Sequence, residues 1–294
     1  MNRRLKREQA YAYGLITPSM VIVFGIIVAP MLATLVYTVV NNNMLSSGYG
    51  QFAGLSFYKE VLSSADFRGD LLRTLYFTLV STFLETFLGL LIALLLNEKF
   101  PGVRFLRSII IIPWAIPTVV NGSLWKLIFN GEYGVFNALL LQAGVIDAYQ
   151  SWLGNPKLAM LMIIIADTWK MTPLAVIFFL AALQGINAET YEAARVDGAG
   201  PIRRFWCLTL PYLAPTAMVI IVMRTVEKFK AFDIFYLMTR GGPADATKTL
   251  MYDTYLQAFT NLNYSTAAVF AYLTALIVAL MTLLYVRVMK RSEL

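Results

Sequence analysis

The chain has 294 residues, 59% of them hydrophobic and 14% charged, with a net charge of +7 and a mean hydropathy of +0.65, a balance that belongs to polytopic membrane proteins rather than soluble ones. Histidine is absent and Cys207 is the sole cysteine, which excludes histidine triads, HExxH metal sites, thiolate metal clusters and intrachain disulfides. The basic residues are scattered at the edges of apolar segments and form no patch interleaved with aromatics, so the positive charge does not point to nucleic acid.

Six stretches supply the roughly 20 apolar residues that a bilayer core requires. They predict an all-α membrane protein with six transmembrane helices in a single domain spanning residues 1–294. The first span, Tyr13 to Val40, follows Arg3, Arg4, Lys6 and Arg7; its apolar run is too long for a cleaved signal, so an uncleaved anchor helix is expected. The second, Leu71 to Leu96, carries Thr78, Thr82 and Glu85 as a polar stripe. The third, Ser108 to Phe129, contains Pro113 and Pro117, which are expected to kink it, with Asn121 and Lys126 facing inward. The fourth runs from Leu158 to Leu183, the fifth from Leu213 to Met238 and the sixth from Thr266 to Met289. Thirteen Lys and Arg residues fall in the N-terminus, the second-to-third loop, the fourth-to-fifth loop and the C-terminus, against five in the alternate loops. That asymmetry predicts both termini on the cytoplasmic side.

Charge within a span is costly, at least ~2.5 kcal/mol near the bilayer centre on insertion scales, so such groups face protein or water. Asp167, Lys170, Met171 and Leu174 recur at i, i+3, i+4 and i+7 in the fourth span, and Arg224, Glu227, Lys228 and Ala231 repeat the spacing in the fifth. Two readings fit. Asp167 with Lys170, and Arg224 with Glu227, form ion pairs that only fix packing; or the two faces line a polar translocation path, with Trp169 and the hydroxyls of Thr168, Thr172 and Thr225 around them.

Between the fourth and fifth spans the polarity changes. Ala188 to Tyr212 reads as a short amphipathic helix, a tight turn at Asp197-Gly198, and a second helical piece ending at Pro211. No GxxxxGK[ST] sequence occurs, so this chain has no phosphate-cradling loop of its own.

The motif Glu192-Ala193-Ala194, three residues, Gly198, nine residues, Leu208-Thr209-Leu210-Pro211 resembles the EAA loop of binding-protein-dependent ABC importer permeases, with Leu208 where that pattern has Ile. The run Phe232 to Pro243 with Thr247 and Leu250, and Asp167-Thr168-Trp169-Lys170-Met171-Thr172-Pro173, are similar to segments of the carbohydrate-uptake permeases of the maltose and glycerol-phosphate type. The resemblance implies an ABC importer type I permease fold in a bacterial plasma (inner) membrane. It further implies a non-catalytic subunit with no cofactor of its own. Its expected partners are a second homologous permease subunit, two ABC ATPase subunits that bind ATP and Mg, and an extracytoplasmic solute-binding protein that delivers a sugar. By the same resemblance, residues 188–211 form a cytoplasmic coupling loop in which Glu192, Ala193, Ala194, Asp197, Gly198, Ala199 and Gly200 contact an ATPase. Asp167, Lys170, Met171, Leu174, Arg224, Glu227, Lys228 and Ala231 fall at the family's substrate positions. A di- or oligosaccharide is the expected cargo, with an anionic sugar or sugar phosphate as the alternative through Lys170, Arg224 and Lys228. An ion-driven secondary transporter using Asp167, Glu227 or Glu85 is the competing class, disfavoured by the lack of an inverted repeat.

Overall fold

The computed structural model describes the backbone of residues 3–292 and the side chains of residues 8, 9 and 11–287. Arg3, Arg4, Lys6, Arg7, Lys290 and Arg291, which enter the orientation count, lie outside the described side chains. Among the described residues the regular secondary structure is helical, with only isolated β-bridges besides, and the helices are joined by turns and irregular segments. In order it forms α1 (Arg3–Val23), α2 (Ala29–Tyr37), α3 (Ser56–Ser63), α4 (Ala65–Asn97), α5 (Val103–Ile109), α6 (Ile112–Ala115), α7 (Thr118–Ile128) and α8 (Val135–Gln142). It continues with α9 (Ala159–Gln184), α10 (Ala188–Val196), α11 (Pro201–Arg204), α12 (Leu210–Phe229), α13 (Asp233–Met238), α14 (Leu250–Tyr255) and α15 (Tyr264–Ser292). Five helical stretches are long and apolar enough to cross a bilayer: Tyr11–Tyr37, Ala65–Asn97, Ala159–Gln184, Pro201–Phe229 and Tyr264–Arg287. A sixth results if Val103–Ala115 and Thr118–Ile128, bent by 95°, are one broken span.

The chain falls into two compact units, residues 1–64 with 254–273, and 65–253 with 274–294. In the first, α1 passes into α2 through a π-turn at Phe24–Val28, just ahead of Pro30, whose missing N–H an unbroken α-helix would have to absorb. Beyond α2 the chain turns and is pinned by Ser265, whose hydroxyl accepts from Asn42 N at 2.7 Å and donates to Val40 O at 2.7 Å.

The second unit is organised around α4 and α9, the most extensively packed pair, with α12 against both. Ala93, Leu96, Ala175, Val176, Phe179, Leu183, Leu213 and Ile220 form its buried apolar cluster. Gly89 sets the spacing: a Cβ there would lie 2.5 Å from Ala175 Cβ, so only glycine lets the two backbones approach this closely.

Three expected elements differ. The third span is broken rather than kinked: Ile116 is extended (ψ 129) and Pro117 precedes α7 with ψ 142, because the ring of a proline pushes the residue before it out of the helical region. The fifth span ends at Phe229 instead of Met238. After Lys230 the chain redirects into α13, whose Ile234, Phe235 and Met238 are buried against α7 and α9; hydropathy counts apolar residues and is blind to a change of direction. Finally, Pro211 does not end a helical piece. From Pro201 the chain stays helical through a π-turn at Phe205–Thr209 into α12, where Pro211 occupies the first turn. The widened turn lets a residue without an N–H continue the helix.

Candidate functional site

The centre of the second unit holds a buried charge network. Lys228 on α12 donates from Nζ to Glu85 Oε1 on α4 at 2.5 Å and to Asp167 Oδ2 on α9, so one ammonium ties three helices together. Its Nζ also lies 5.6 Å from the centroid of the Phe77 ring, which itself meets Phe235 edge-on at 4.8 Å. One turn earlier on α12, Arg224 pairs through Nη1 with Glu227 Oε2 at 2.6 Å. Its Nε stands 3.8 Å from Glu85 Oε2, close enough for attraction but too long for a hydrogen bond. Arg224 is almost wholly enclosed, yet Nε and Nη2 have no hydrogen-bond partner, and neither has Glu85 Oε2. Lys170 is buried beside the network and has no ion-pair partner among the described residues. Three carboxylates thus face three cations, a formal balance of zero.

This arrangement revises the pairing. Arg224 does pair with Glu227, but Asp167 pairs across helices with Lys228 and not with Lys170. The interhelical geometry brings an ammonium between two acids, a stronger arrangement than one i,i+3 contact at the same burial. Among the other expected residues, Met171 and Leu174 are half-buried and Glu227 is the exposed rim of the network at 45%; Ala231, half-buried too, lies beyond the end of α12, so the i+7 register expected for it is not realised. Trp169 does not surround the charges: at 39% exposure it turns to the opposite side of α9 and packs edge-on against Trp125 at 5.7 Å. Lys126 is exposed rather than inward, because five residues beyond Asn121 is about 140° round a helix. Asn121 itself is buried and donates to Ala166 O at 3.3 Å. Glu85, the residue at the heart of the network, is not among the expected substrate positions; the sequence marks it only as a member of a polar stripe and as a candidate ion carrier. A lone acid midway through an apolar stretch, four residues before the glycine that seats α9, is the signal that singles it out.

Residues 188–211 form a second candidate element. Asn187 caps α10, its Oδ1 accepting from Glu189 N at 3.1 Å. The helix ends in a Schellman turn, with Ala199 N donating to Ala194 O at 2.9 Å and Gly198 N to Arg195 O at 3.0 Å. Gly198 has φ 77, a left-handed conformation that a β-branched residue would strain. Tyr191 Oη and Thr209 Oγ1 lie 2.7 Å apart and fasten α10 to the π-turn. Glu192, Ala193, Asp197, Gly198 and Gly200 are exposed, Ala194 and Ala199 half-buried. On either side of the turn Val196 and Ile202 stand 87% and 76% exposed.

A polar segment caps the other end of α4. Arg73 on α4 pairs with Asp70 at 2.9 Å and donates from Nε to Lys248 O at 2.8 Å, and Leu250 N donates to Thr74 Oγ1 at 3.0 Å. Burial opposes the charge of Lys248, but Asp253, Asp70, Asp245 and Asp66 around it outweigh that cost and hold its pKa above the ordinary lysine value.

A chain whose described secondary structure is helical, with several helices long enough to cross a membrane, a charge network between three of them and an exposed turned loop joining two of those three, has the build of a multi-pass transport subunit. Residues 85–293 match the family of binding-protein-dependent transport system inner membrane components, and the chain belongs to that family. It is 38% identical to the trehalose/maltose transport system permease protein MalF of Thermococcus litoralis, over 96% of this chain and 94% of that one. It is 33% identical to the sn-glycerol-3-phosphate transport system permease protein UgpA of Rhizobium meliloti, over 95% of each. A bacterial ABC transporter involved in the import of the acidic polysaccharide alginate contains a chain of the same fold, with a TM-score of 0.84 over 99% of both chains at 21% identity.

Proposed function

We propose that this chain is one of two permease subunits of an ATP-driven sugar importer in a bacterial inner membrane, both termini cytoplasmic, taking its cargo from an extracytoplasmic solute-binding protein. The observation that carries the reading is the 188–211 element: the EAA spacing coincides with a Schellman-capped helix that leaves Val196, Gly198 and Ile202 projecting around a rigid turn. Exposed apolar side chains on a polar loop are what a docking knob presents to a partner's groove. Glu192 adds a charge for a basic residue of one of the two ATPase subunits, which bind ATP and Mg. ATP-driven closure then biases the transmembrane helices through this loop, because an effector shifts an equilibrium only through contacts that differ between its states.

The cargo site lies along α9, α12 and the turn that follows α12, at Asp167, Lys170, Met171, Leu174, Arg224, Glu227, Lys228 and Ala231. A network balanced to zero charge favours a neutral di- or oligosaccharide, which exchanges hydroxyl hydrogen bonds with both signs without leaving an ion unmatched. Two observations favour an anionic sugar or sugar phosphate as the second reading: Arg224 has N–H groups without partners, and Lys170 stands unpaired. The testing experiment is reconstitution with the partner permease, the ATPases and the binding protein, followed by a panel of neutral and anionic sugars scored for stimulated ATP hydrolysis. Glu192→Lys and Gly198→Val are expected to leave membrane insertion intact and abolish stimulation and uptake. Normal sugar-stimulated hydrolysis in both variants refutes the coupling role.

A further inference from the structure

The helix α10 is fastened on one side and faces a gap on another. Tyr191 is tied to Thr209 in the π-turn that leads into α12, at 2.7 Å. Toward α4, a cavity of about 630 Å³ separates Glu98 and Lys99, just past the end of that helix, from Glu192 and Arg195 of α10. The two walls carry complementary signs, an acid and a base on each. All four side chains are exposed, and none has an ion-pair partner among the described residues, although Glu192 and Arg195 stand three residues apart on one helix, a spacing at which such pairs form. Arg204, half-buried on the same cavity and with its Nε partnerless, adds a further cation. Narrowing the gap therefore lets each acid meet a base of the opposite wall. The α4 wall is stiff enough to be pulled: Arg107 Nε and Nη2 donate to Leu96 O at 3.2 and 2.6 Å, which ties the last turn of α4 to α5 and resists fraying.

We propose that Glu98 and Lys99 are positioning residues of the coupling step: ATP-driven movement of α10 closes the cavity, Lys99 meets Glu192, Glu98 meets Arg195, and the displacement of the loop is delivered to α4 as well as to α12. This inference rests on the coupling role of residues 188–211 and gives that loop a second attachment. Glu85 on α4 and Lys228 on α12 are paired. With α10 moored to α12 alone, the pull of the ATPases works across that pair; once the cavity is shut, the two helices move together.

Cross-linking across the cavity tests this. Asn97 and Ala188 lie on its opposite walls and are uncharged, so Asn97→Cys with Ala188→Cys, in a Cys207→Ser background, reports the gap and leaves every charge in place. The reconstituted complex with its binding protein is treated with a short bismaleimide, either nucleotide-free or trapped with ATP, Mg and vanadate, and the trapped state should give the higher yield. An exposed ion pair shifts such an equilibrium by up to about fivefold. Glu98→Arg and Arg195→Glu, each replacing an attraction by a repulsion, should therefore each lower the trapped yield by about that factor, and the two together should restore it. Equal yields in the two nucleotide states, or a double variant no better than the singles, overturn the proposal. Gly198→Val distinguishes this failure from failure of the coupling role. If that variant no longer traps vanadate, the loop couples and the cross-links alone decide the part played by Glu98 and Lys99. If it traps and cross-links as the unsubstituted loop does, the coupling role has failed and this proposal with it.

Discussion

Replacing Lys228 by Met removes the one ammonium that faces both Glu85 and Asp167. The shape is nearly kept, so the loss is electrostatic: two carboxylates, both buried, are left side by side with Arg224 3.8 Å away from one of them as the nearest remaining cation. Breaking a buried pair by deleting one partner costs about 3–5 kcal/mol, and here a single deletion strands two acids, which places the effect at the upper end. At about 2 °C per kcal/mol for a chain of this size the unfolding temperature should fall by roughly 10 °C. Thermal unfolding in nanodiscs measures this directly, with two controls. Lys170→Met removes another buried lysine, one with no ion-pair partner among the described residues, and should shift the transition much less. Adding Glu85→Gln and Asp167→Asn to Lys228→Met removes the uncompensated charges and should recover most of the loss, because a neutral packed core is often as stable as the ion pair it replaces. If Lys228→Met is no worse than Lys170→Met, or if the triple variant recovers nothing, the network does not hold α4, α9 and α12 together.

Gly89→Ala should destabilise the α4–α9 pair by about 1–3 kcal/mol through overpacking, since its Cβ would come 2.5 Å from that of Ala175; Ala175→Gly in the same chain should restore the unfolding temperature, and an unaffected single variant would contradict the close approach. The Lys248 cluster predicts an alkaline limb. Its folded pKa is raised above the ordinary 10.5, so its contribution is fully present below that value and is lost as the pH rises through the folded pKa. Lys248→Met should lower stability at neutral pH and flatten the decline above about pH 10.5 relative to wild type; identical alkaline slopes for the two proteins would argue against the cluster.

The parts of this molecule that could be read in the sequence are those governed by local rules. Long apolar runs gave α4, α9 and α15 nearly end to end, and Asp197-Gly198 gave its turn, because hydropathy and positive φ act over a few residues. What could not be read depends on which helix lies beside which. The i,i+3 spacing suggested Asp167 with Lys170, yet the observed partner is 61 residues further along the chain, and nothing periodic in either helix specifies that pairing. Gly89 is what permits it: by drawing α4 onto α9 it carries Glu85 to the same ammonium, and a glycine inside an apolar run conveys this only once its neighbour is known. The break at Pro117 has the same character. Two prolines predict a disturbance in the third span, but the 95° turn keeps α7 against α13, whose burial hydropathy had credited to the fifth span. The charge network and the bent third span are therefore linked. With α12 ending at Phe229, just after Lys228, the chain doubles into α13, and Phe235 of α13 packs on the ring of Phe77 over which the Lys228 ammonium sits. A movement of α12 that separates Lys228 from Glu85 must also disturb the Phe77–Phe235 contact, so displacement at the charges is felt at α13 and α7 through packing alone.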